Sequence, residues 1–232
     1  MRILSVLLVL WAAAPASAAT IGSLDGYRMF GSEITGSNYD ALRAGLELEG
    51  HSFAAETRSL NTAGYLDGVD AVFHSRAGAS VSRTYPEAGE VDALRQWVTD
   101  GGVFVMFGGN FQFASDLNRW VGAFGFNYVS RNVSGGTWAS DPHPLLTGIV
   151  PGADLNFRFS SWVNHNAAHV DPNGGDVDPE VFATISGDGA TQNAILGAQY
   201  GDGYILVFGD ENPVFDGFTN PDALTLIDNV LS

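Results

Sequence analysis

The most constraining stretch of the chain is Gly101-Gly102-Val103-Phe104-Val105-Met106-Phe107-Gly108-Gly109-Asn110. It reads as a helix stop, an unbroken apolar run and a tight glycine turn. Five consecutive apolar residues leave no polar face, which predicts a strand covered on both sides, as in a parallel sheet flanked by helices. The turn after such a strand lies at the carboxyl edge of the sheet, where open α/β folds hold their ligands. A nucleophile there would be a thiol or an activated hydroxyl. The turn offers Gly108, Gly109 and Asn110, and the 232 residues include no cysteine.

The flanking sequence repeats the alternation of short apolar runs with amphipathic helices. Tyr27 to Phe30 predicts a first strand. Ser37 or Asn38 caps a helix in which Tyr39, Leu42 and Leu46 recur at helical spacing up to Gly50. His51 to Ala55 and Val69 to His74 predict the second and third strands, with a short helix or turn at Ala63 to Asp67. Pro86 suits a helix start, Glu87 and Glu90 its positive end, and Val91, Leu94, Trp97 and Val98 its apolar stripe. A further helix carries Leu117, Trp120, Val121 and Phe124 and stops at Gly125. Beyond Phe126 the pattern changes to short strands at Asn156–Trp162, Val181–Ile185 and Ile195–Tyr200, separated by Gly-, Asp- and Asn-rich loops. Tyr200-Gly201-Asp202-Gly203-Tyr204 is a hairpin turn leading into a buried strand, Tyr204–Phe208. Pro221 or Asp222 opens a closing helix. The order predicts an α/β fold with a mainly parallel central sheet, helices on both faces, and a β-rich, loop-rich C-terminal half.

Arg2, the apolar run Ile3–Ala14 and the small residues Pro15-Ala16-Ser17-Ala18 predict a signal peptide over 1–18. The expected product is a single domain over 19–232, secreted or periplasmic. The apolar run is shorter than the roughly 20 residues that span a bilayer, so no stable membrane anchor is expected. The chain has a formal charge of −16, and all ten of its basic residues are arginine. That field opposes nucleic acid and anionic lipid, and both are disfavoured as partners.

Four stretches carry a family resemblance. They are Asn38-Tyr39-Asp40-Ala41-Leu42 with Glu49-Gly50-His51; Gly101-Gly102 with its strand and glycine turn; His143-Pro144-Leu145-Leu146-Thr147-Gly148-Ile149; and Gly203-Tyr204-Ile205-Leu206-Val207-Phe208-Gly209-Asp210 followed by Phe218-Thr219-Asn220 and Asp228-Asn229. Together they resemble the class I glutamine amidotransferase-like superfamily, more narrowly its noncatalytic branches in secreted and membrane-associated bacterial proteins. The resemblance covers most of residues 19–232 and implies a flavodoxin-like sandwich. Members that hydrolyse glutamine use a cysteine at the elbow and a His–acid pair near the C-terminus. This chain has no cysteine and no histidine after His169. Glutaminase chemistry is excluded because no thiolate exists.

Residues that follow the carboxyl ends of the expected strands form the candidate ligand site: Ser32 and Glu33, then His74, Ser75 and Arg76, then Asn110, and lastly Asp210, Glu211 and Asn212. Arg76 would clamp an anion, and His74 or Ser75 would supply a polar contact or an acid–base group. The plainer alternative is a loop whose polar groups satisfy their own backbone. Ser75 lacks the G-x-S-x-G context of a strained nucleophile, so no Ser-His-acid triad is supported. The acidic loop offers Asp171, Asn173, Asp176, Asp178 and Glu180 as candidate calcium ligands, without EF-hand spacing; calcium is the one cofactor the residues suggest. His165 and His169 are four apart, as zinc ligands on a helix would be, yet they fall at a strand end and loop and are expected to be surface or hydrogen-bonded. His143, between two prolines, is expected to fix a turn.

The leading expectation is a noncatalytic domain binding a small polar ligand or a partner protein at the carboxyl edge of its sheet. A second is a hydrolase acting on a sugar or sugar derivative, by resemblance to trehalose-utilisation proteins, with His74, Arg76, Asp210 and Glu211 as its polar groups. A third is a surface or adhesive protein that uses the acidic loop with calcium.

Overall fold

The computed structural model describes residues 18–24, 34–57, 59–75, 86–109, 114–157, 160–187 and 189–232. In chain order the elements are β1 (Thr20–Ser23), α1 (Asp40–Leu48), β2 (Ser52–Phe53), β3 (Ala71–His74), α2 (Glu90–Thr99), β4 (Val103–Phe107), α3 (Ala114–Val121), β5 (Phe126–Val133), β6 (Thr137–Trp138), β7 (Ser160–His165), β8 (Glu180–Gly187), β9 (Ala190–Tyr200), β10 (Gly203–Phe208) and α4 (Pro221–Leu231). Eight strands form one sheet in the order β2-β1-β3-β4-β10-β9-β8-β6, and β5 pairs with β7 in a separate two-stranded sheet. The first five are mutually parallel, an order that matches the flavodoxin-like 2-1-3-4-5 winding. The remaining three are antiparallel.

The apolar run that predicts β4 is buried on both sides of the sheet. Phe104 and Met106 join Leu94, Val98, Leu117 and Trp120 beneath α2 and α3. Val105 and Phe107 join Leu42, Leu46, Leu226 and Ile227 beneath α1 and α4. Strand alternation thus divides one continuous apolar sequence between two cores. Each such large side chain contributes roughly 1.5–3 kcal/mol by leaving water. Asn220 caps α4 by accepting the Asp222 N–H at 2.8 Å, with Pro221 in the first helical position. At the amino edge, His51 accepts the Ala19 N–H at Nδ1 (3.0 Å), which makes Nε2 the protonated nitrogen that donates to Asp228 (2.9 Å). One imidazole therefore ties the start of β1 to α4.

Several expectations are corrected. Among the described residues the first strand is Thr20–Ser23, which the sequence pattern did not mark; the strand expected at Tyr27–Phe30 lies outside the described residues. A four-residue strand containing Gly and Ser has little intrinsic signal, and pairing with β2 and β3 on both sides imposes it. The strand expected at Asn156–Trp162 runs instead from Ser160 to His165, paired with β5, which the sequence pattern did not mark. The edge strand β6 is likewise unmarked by the sequence pattern; the remaining strands and the four helices lie within a few residues of their expected positions.

The start of β10 crosses the α2–β4 corner so closely that only glycine fits. A Cβ on Gly203 would lie 2.1 Å from the Val98 carbonyl oxygen and 2.3 Å from that of Gly102, both backbone atoms. Gly203→Ala is expected to cost about 1–3 kcal/mol by overpacking. Gly68→Ala, where nothing lies within 4 Å, is expected to change stability by less than about 0.5 kcal/mol. Urea unfolding of the two variants checks the contrast; equal midpoints would contradict this packing.

Candidate functional site

The carboxyl edge of the parallel sheet is a band of buried polar groups. Along it stand Ser23 at the end of β1, His74 and Ser75 at the end of β3, and Asp210 and Glu211 just after β10. Ser161 of β7 closes one side, its N–H donating to the Gly209 carbonyl at 3.3 Å. Asp210 is 2% exposed and Glu211 4%. From Ser23 to Asp210 the band crosses three strand spacings, about 14 Å.

Tyrosines distant in sequence reach Glu211 and the strand end beside Asp210. Tyr39 Oη, at the entry to α1, donates to Glu211 Oε2 at 2.8 Å. The Glu211 N–H donates to Asp210 Oδ1 at 2.8 Å. Tyr128 Oη donates to the Phe208 carbonyl at 2.8 Å. Burial raises the Tyr128 pKa well above its ordinary value, and the neighbouring Asp210 charge raises it further. Tyr128 is thus a permanent neutral donor. The Ser23 backbone is locked on both sides, its N–H donating to Tyr65 Oη at 2.8 Å and its carbonyl accepting from Tyr65 Oη and from the Thr57 N–H. Its own hydroxyl oxygen is buried without a hydrogen-bond partner.

His74 lies edge-on to Trp120, with ring centroids 5.0 Å apart. Full burial lowers its pKa to about 3, so the imidazole is neutral throughout the physiological range. It cannot serve as a proton donor near neutrality.

The glycine turn has a steric reason. The Gly108 N–H donates to the Phe208 carbonyl at 2.8 Å. A Cβ on Gly108 would lie 2.4 Å from the Gly209 carbonyl oxygen. The backbones of the two central strands meet there, and a cysteine at Gly108 would collide with them. The chain is not a glutaminase-type enzyme: it lacks the thiol, and Gly108 lacks room for one.

The structure therefore brings together His74, Ser75, Asp210 and Glu211 from the expected site. Ser32, Glu33, Arg76 and Asn110 lie outside the described residues. Tyr39, Tyr128, Ser23 and Ser161 belong to the same edge and were not marked by sequence. Tyr39 carries the helical periodicity of its segment, which masks a hydroxyl that reaches Glu211. Tyr128 and Ser161 lie on β5 and β7, whose pairing is a long-range property.

The acidic loop is organised by its own backbone. Asp171 accepts the N–H groups of Gly175 (2.8 Å), Asn173 (2.8 Å) and Gly201 (3.2 Å), and these bonds hold its carboxyl below the ordinary range. Glu180 stands on β8, taking the Tyr204 hydroxyl (2.5 Å) and pairing with His143 Nε2 (2.9 Å). Among the described residues, no three His, Cys, Asp or Glu side chains converge where they could hold a metal ion. His143 does fix a turn, accepting the Leu145 N–H at Nδ1.

His165 and His169, expected to be surface or hydrogen-bonded, are both half-buried. They pack 6.2 Å apart in an aromatic layer with Phe126 and Tyr200. Among the described residues, neither ring nitrogen of His165 nor Nε2 of His169 makes a hydrogen bond of good geometry. Burial lowers both pKa values; the Arg95 charge adds to this at His169, while the carbonyls of Phe124 and Ala123 oppose it.

No family model matches the chain, and no curated protein sequence matches it. Solved structures do. The fold is similar to the mmIFT52 N-terminal domain, with a TM-score of 0.63 and 13% identity over 91% of this chain and 95% of that one. It is similar to cytoplasmic protein STM1381 of Salmonella typhimurium LT2, with a TM-score of 0.60 and 18% identity over 91% and 98% of the two chains. A third likeness is to cytoplasmic protein STM3548 of Salmonella typhimurium, with a TM-score of 0.57 and 14% identity over 92% and 97%. These likenesses show the fold, a flavodoxin-like α/β sandwich, in agreement with the strand order. The two Salmonella proteins are cytoplasmic by name, which conflicts with the secreted or periplasmic location read from residues 1–18, and that location is not retained. Among the described residues no helix is long and apolar enough to cross a membrane.

His74 makes the edge sensitive to acid. Its folded pKa lies below the unfolded value of about 6.5, so the unfolded state takes up the proton first. Its contribution to stability is complete above about pH 6.5 and declines as the pH falls toward 3. His74→Asn, which cannot titrate, is expected to lose less stability between pH 7 and pH 4.5 than the parent chain. Urea unfolding at a series of pH values checks this; parallel pH profiles would contradict it.

Proposed function

We propose that the chain is a noncatalytic α/β domain that binds a small polar ligand at the carboxyl edge of its sheet. The observation behind this reading is the concentration of buried polar side chains there: Ser23, His74, Ser75, Ser161, Asp210 and Glu211. Burying such groups is costly, and a fold without a polar task at that edge would fill it with apolar side chains. The edge is also the crevice that open parallel sheets use for ligands, and Ser23 and His74 flank the β1/β3 switch point of this winding. The proposal extends to Ser32, Arg76 and Asn110, which follow β1, β3 and β4 in sequence. With two carboxylates in the band, a ligand rich in hydroxyl or amino donors suits it better than an anion. A hydrolase is the weaker reading, because His74 is held neutral and supplies no acid near pH 7.

A thermal-shift screen with monosaccharides, polyols, amino acids and amines tests the proposal. At least one class is expected to raise the melting temperature of the parent chain in a saturable way. The shift is expected to fall by more than half in Ser75→Ala and in Asp210→Asn, each checked for folding by circular dichroism. A ligand that stabilises both variants as well as the parent, or no saturable shift from any class, would reject the site.

A further inference from the structure

A second surface, which uses none of the carboxyl-edge residues, lies on the helical layer formed by α1 and α4. Gly45 brings the two helices into close contact: a Cβ there would lie 2.8 Å from Leu224 Cδ1. Beside this contact is an open groove of about 220 Å³, with Gly45, Leu48, Pro221 and Leu224 on its apolar part and Glu49 and Asp228 at its polar margin. Leu48 is 86% exposed, the highest value among the exposed large apolar side chains of the described residues. A single exposed leucine is ordinary on a protein surface, but one at the mouth of an apolar groove offers a contiguous patch.

The charges around the groove have one sign. From the start of α1 to Glu49, and along α4, the acids are Asp40, Glu47, Glu49, Asp222 and Asp228, against a single arginine, Arg43. That arginine is already committed, to the Asp40 carboxylate and to the carbonyls of Ile34 and Gly36. Among the described residues the other basic group at the margin is His51, buried behind Asp228. Although Asp40 pairs with Arg43 and one oxygen of Asp228 accepts from His51, the net negative charge around the apolar groove matches a partner with the opposite arrangement.

We propose that this groove docks a basic amphipathic segment of a partner protein, with an apolar side chain beside Leu48 and Leu224 and flanking Lys or Arg residues against Glu49 and Asp228. A helix-in-groove contact of this kind is read by apolar anchors one helical turn apart. A second copy of this chain fits poorly. A two-fold contact would set the same acidic margins against each other, on a molecule whose net charge is already −16.

The test uses the full chain and a fluorescein-labelled 14-residue peptide with two leucines four residues apart, flanked by arginines, read by fluorescence anisotropy at physiological ionic strength. Saturable binding is expected. Leu48→Ser, which alters an exposed side chain and leaves the core intact, and Glu49→Arg are each expected to weaken it at least tenfold. A control peptide with both leucines replaced by serine is expected not to saturate. Absence of saturable binding overturns the proposal. Equal binding of the leucine-free peptide also overturns it, because attraction would then be bulk charge alone. Unchanged affinity in Leu48→Ser would place the peptide elsewhere and reject the groove. A concentration-dependent dimer in analytical ultracentrifugation, abolished by Leu48→Ser, would assign the groove to a second copy and reject a basic partner.

Discussion

The parallel pairing of β4 with β10 is the constraint on which the rest of the molecule depends. It is the seam where the wound half of the sheet, β2-β1-β3-β4, receives the strand contributed by the C-terminal half. Five consecutive residue pairs, from Val103 opposite Tyr204 to Phe107 opposite Phe208, hold it in register. Both strands are apolar on both faces, so a slip of one residue would exchange the contents of two different cores. Glycine fixes the two ends of the seam. Gly203 lets β10 enter against the carbonyls of Val98 and Gly102, and Gly108 lets β4 leave against the backbone of Gly209. The contact that secures the sheet is also the contact that leaves no room for a nucleophile at Gly108.

That seam delivers Asp210 and Glu211 to the carboxyl edge and places them under Tyr39 and Tyr128. Each tyrosine comes from a different layer, Tyr39 from the approach to α1 and Tyr128 from the small second sheet. Tyr39 holds the Glu211 carboxylate directly, while Tyr128 holds the Phe208 carbonyl at the end of the strand that leads into the acids. The helical surface between α1 and α4 is different in kind. It is apolar with an acidic margin, it is open, and its groups are not organised around buried charge. The two proposed recognition sites therefore differ in kind, one a buried polar edge and the other an open amphipathic groove.

Much of the wound half was legible in the residues. Val103–Phe107 is strand because an apolar run of five has no solvent face. Leu42 and Leu46, or Leu94 and Val98, mark helices because their spacing matches one side of a helical turn. His74, Ser75, Asp210 and Glu211 could be assigned to one edge because each follows such a run. What was not legible depends on partners far away in sequence. Thr20–Ser23 is a strand through its neighbours on both sides, and its Gly and Ser carry little signal of their own. Tyr39 reads as a helix residue until Glu211, 172 positions later, is beside it. Tyr128 and Ser161 join the site through the β5–β7 pair, and the packing of His165 against His169 on the glycine at 125 has no local pattern at all. The absence of cysteine was visible at once; the steric reason for a glycine at 108 required the seam.

The central claim is that the polar interior of the carboxyl edge is a recognition site. Its most direct test is a titration of the ¹⁵N-labelled protein with the polar compound that gives the largest thermal shift, followed by amide chemical-shift mapping. The account predicts that saturable perturbations concentrate at Ser23, Leu24, His74, Ser75, Gly108 and Gly209 to Glu211, with the α1–α4 surface unchanged. Perturbations concentrated at the amino edge, around Ala19, His51, Gly101 and Asp202, with the carboxyl-edge amides silent, would contradict it.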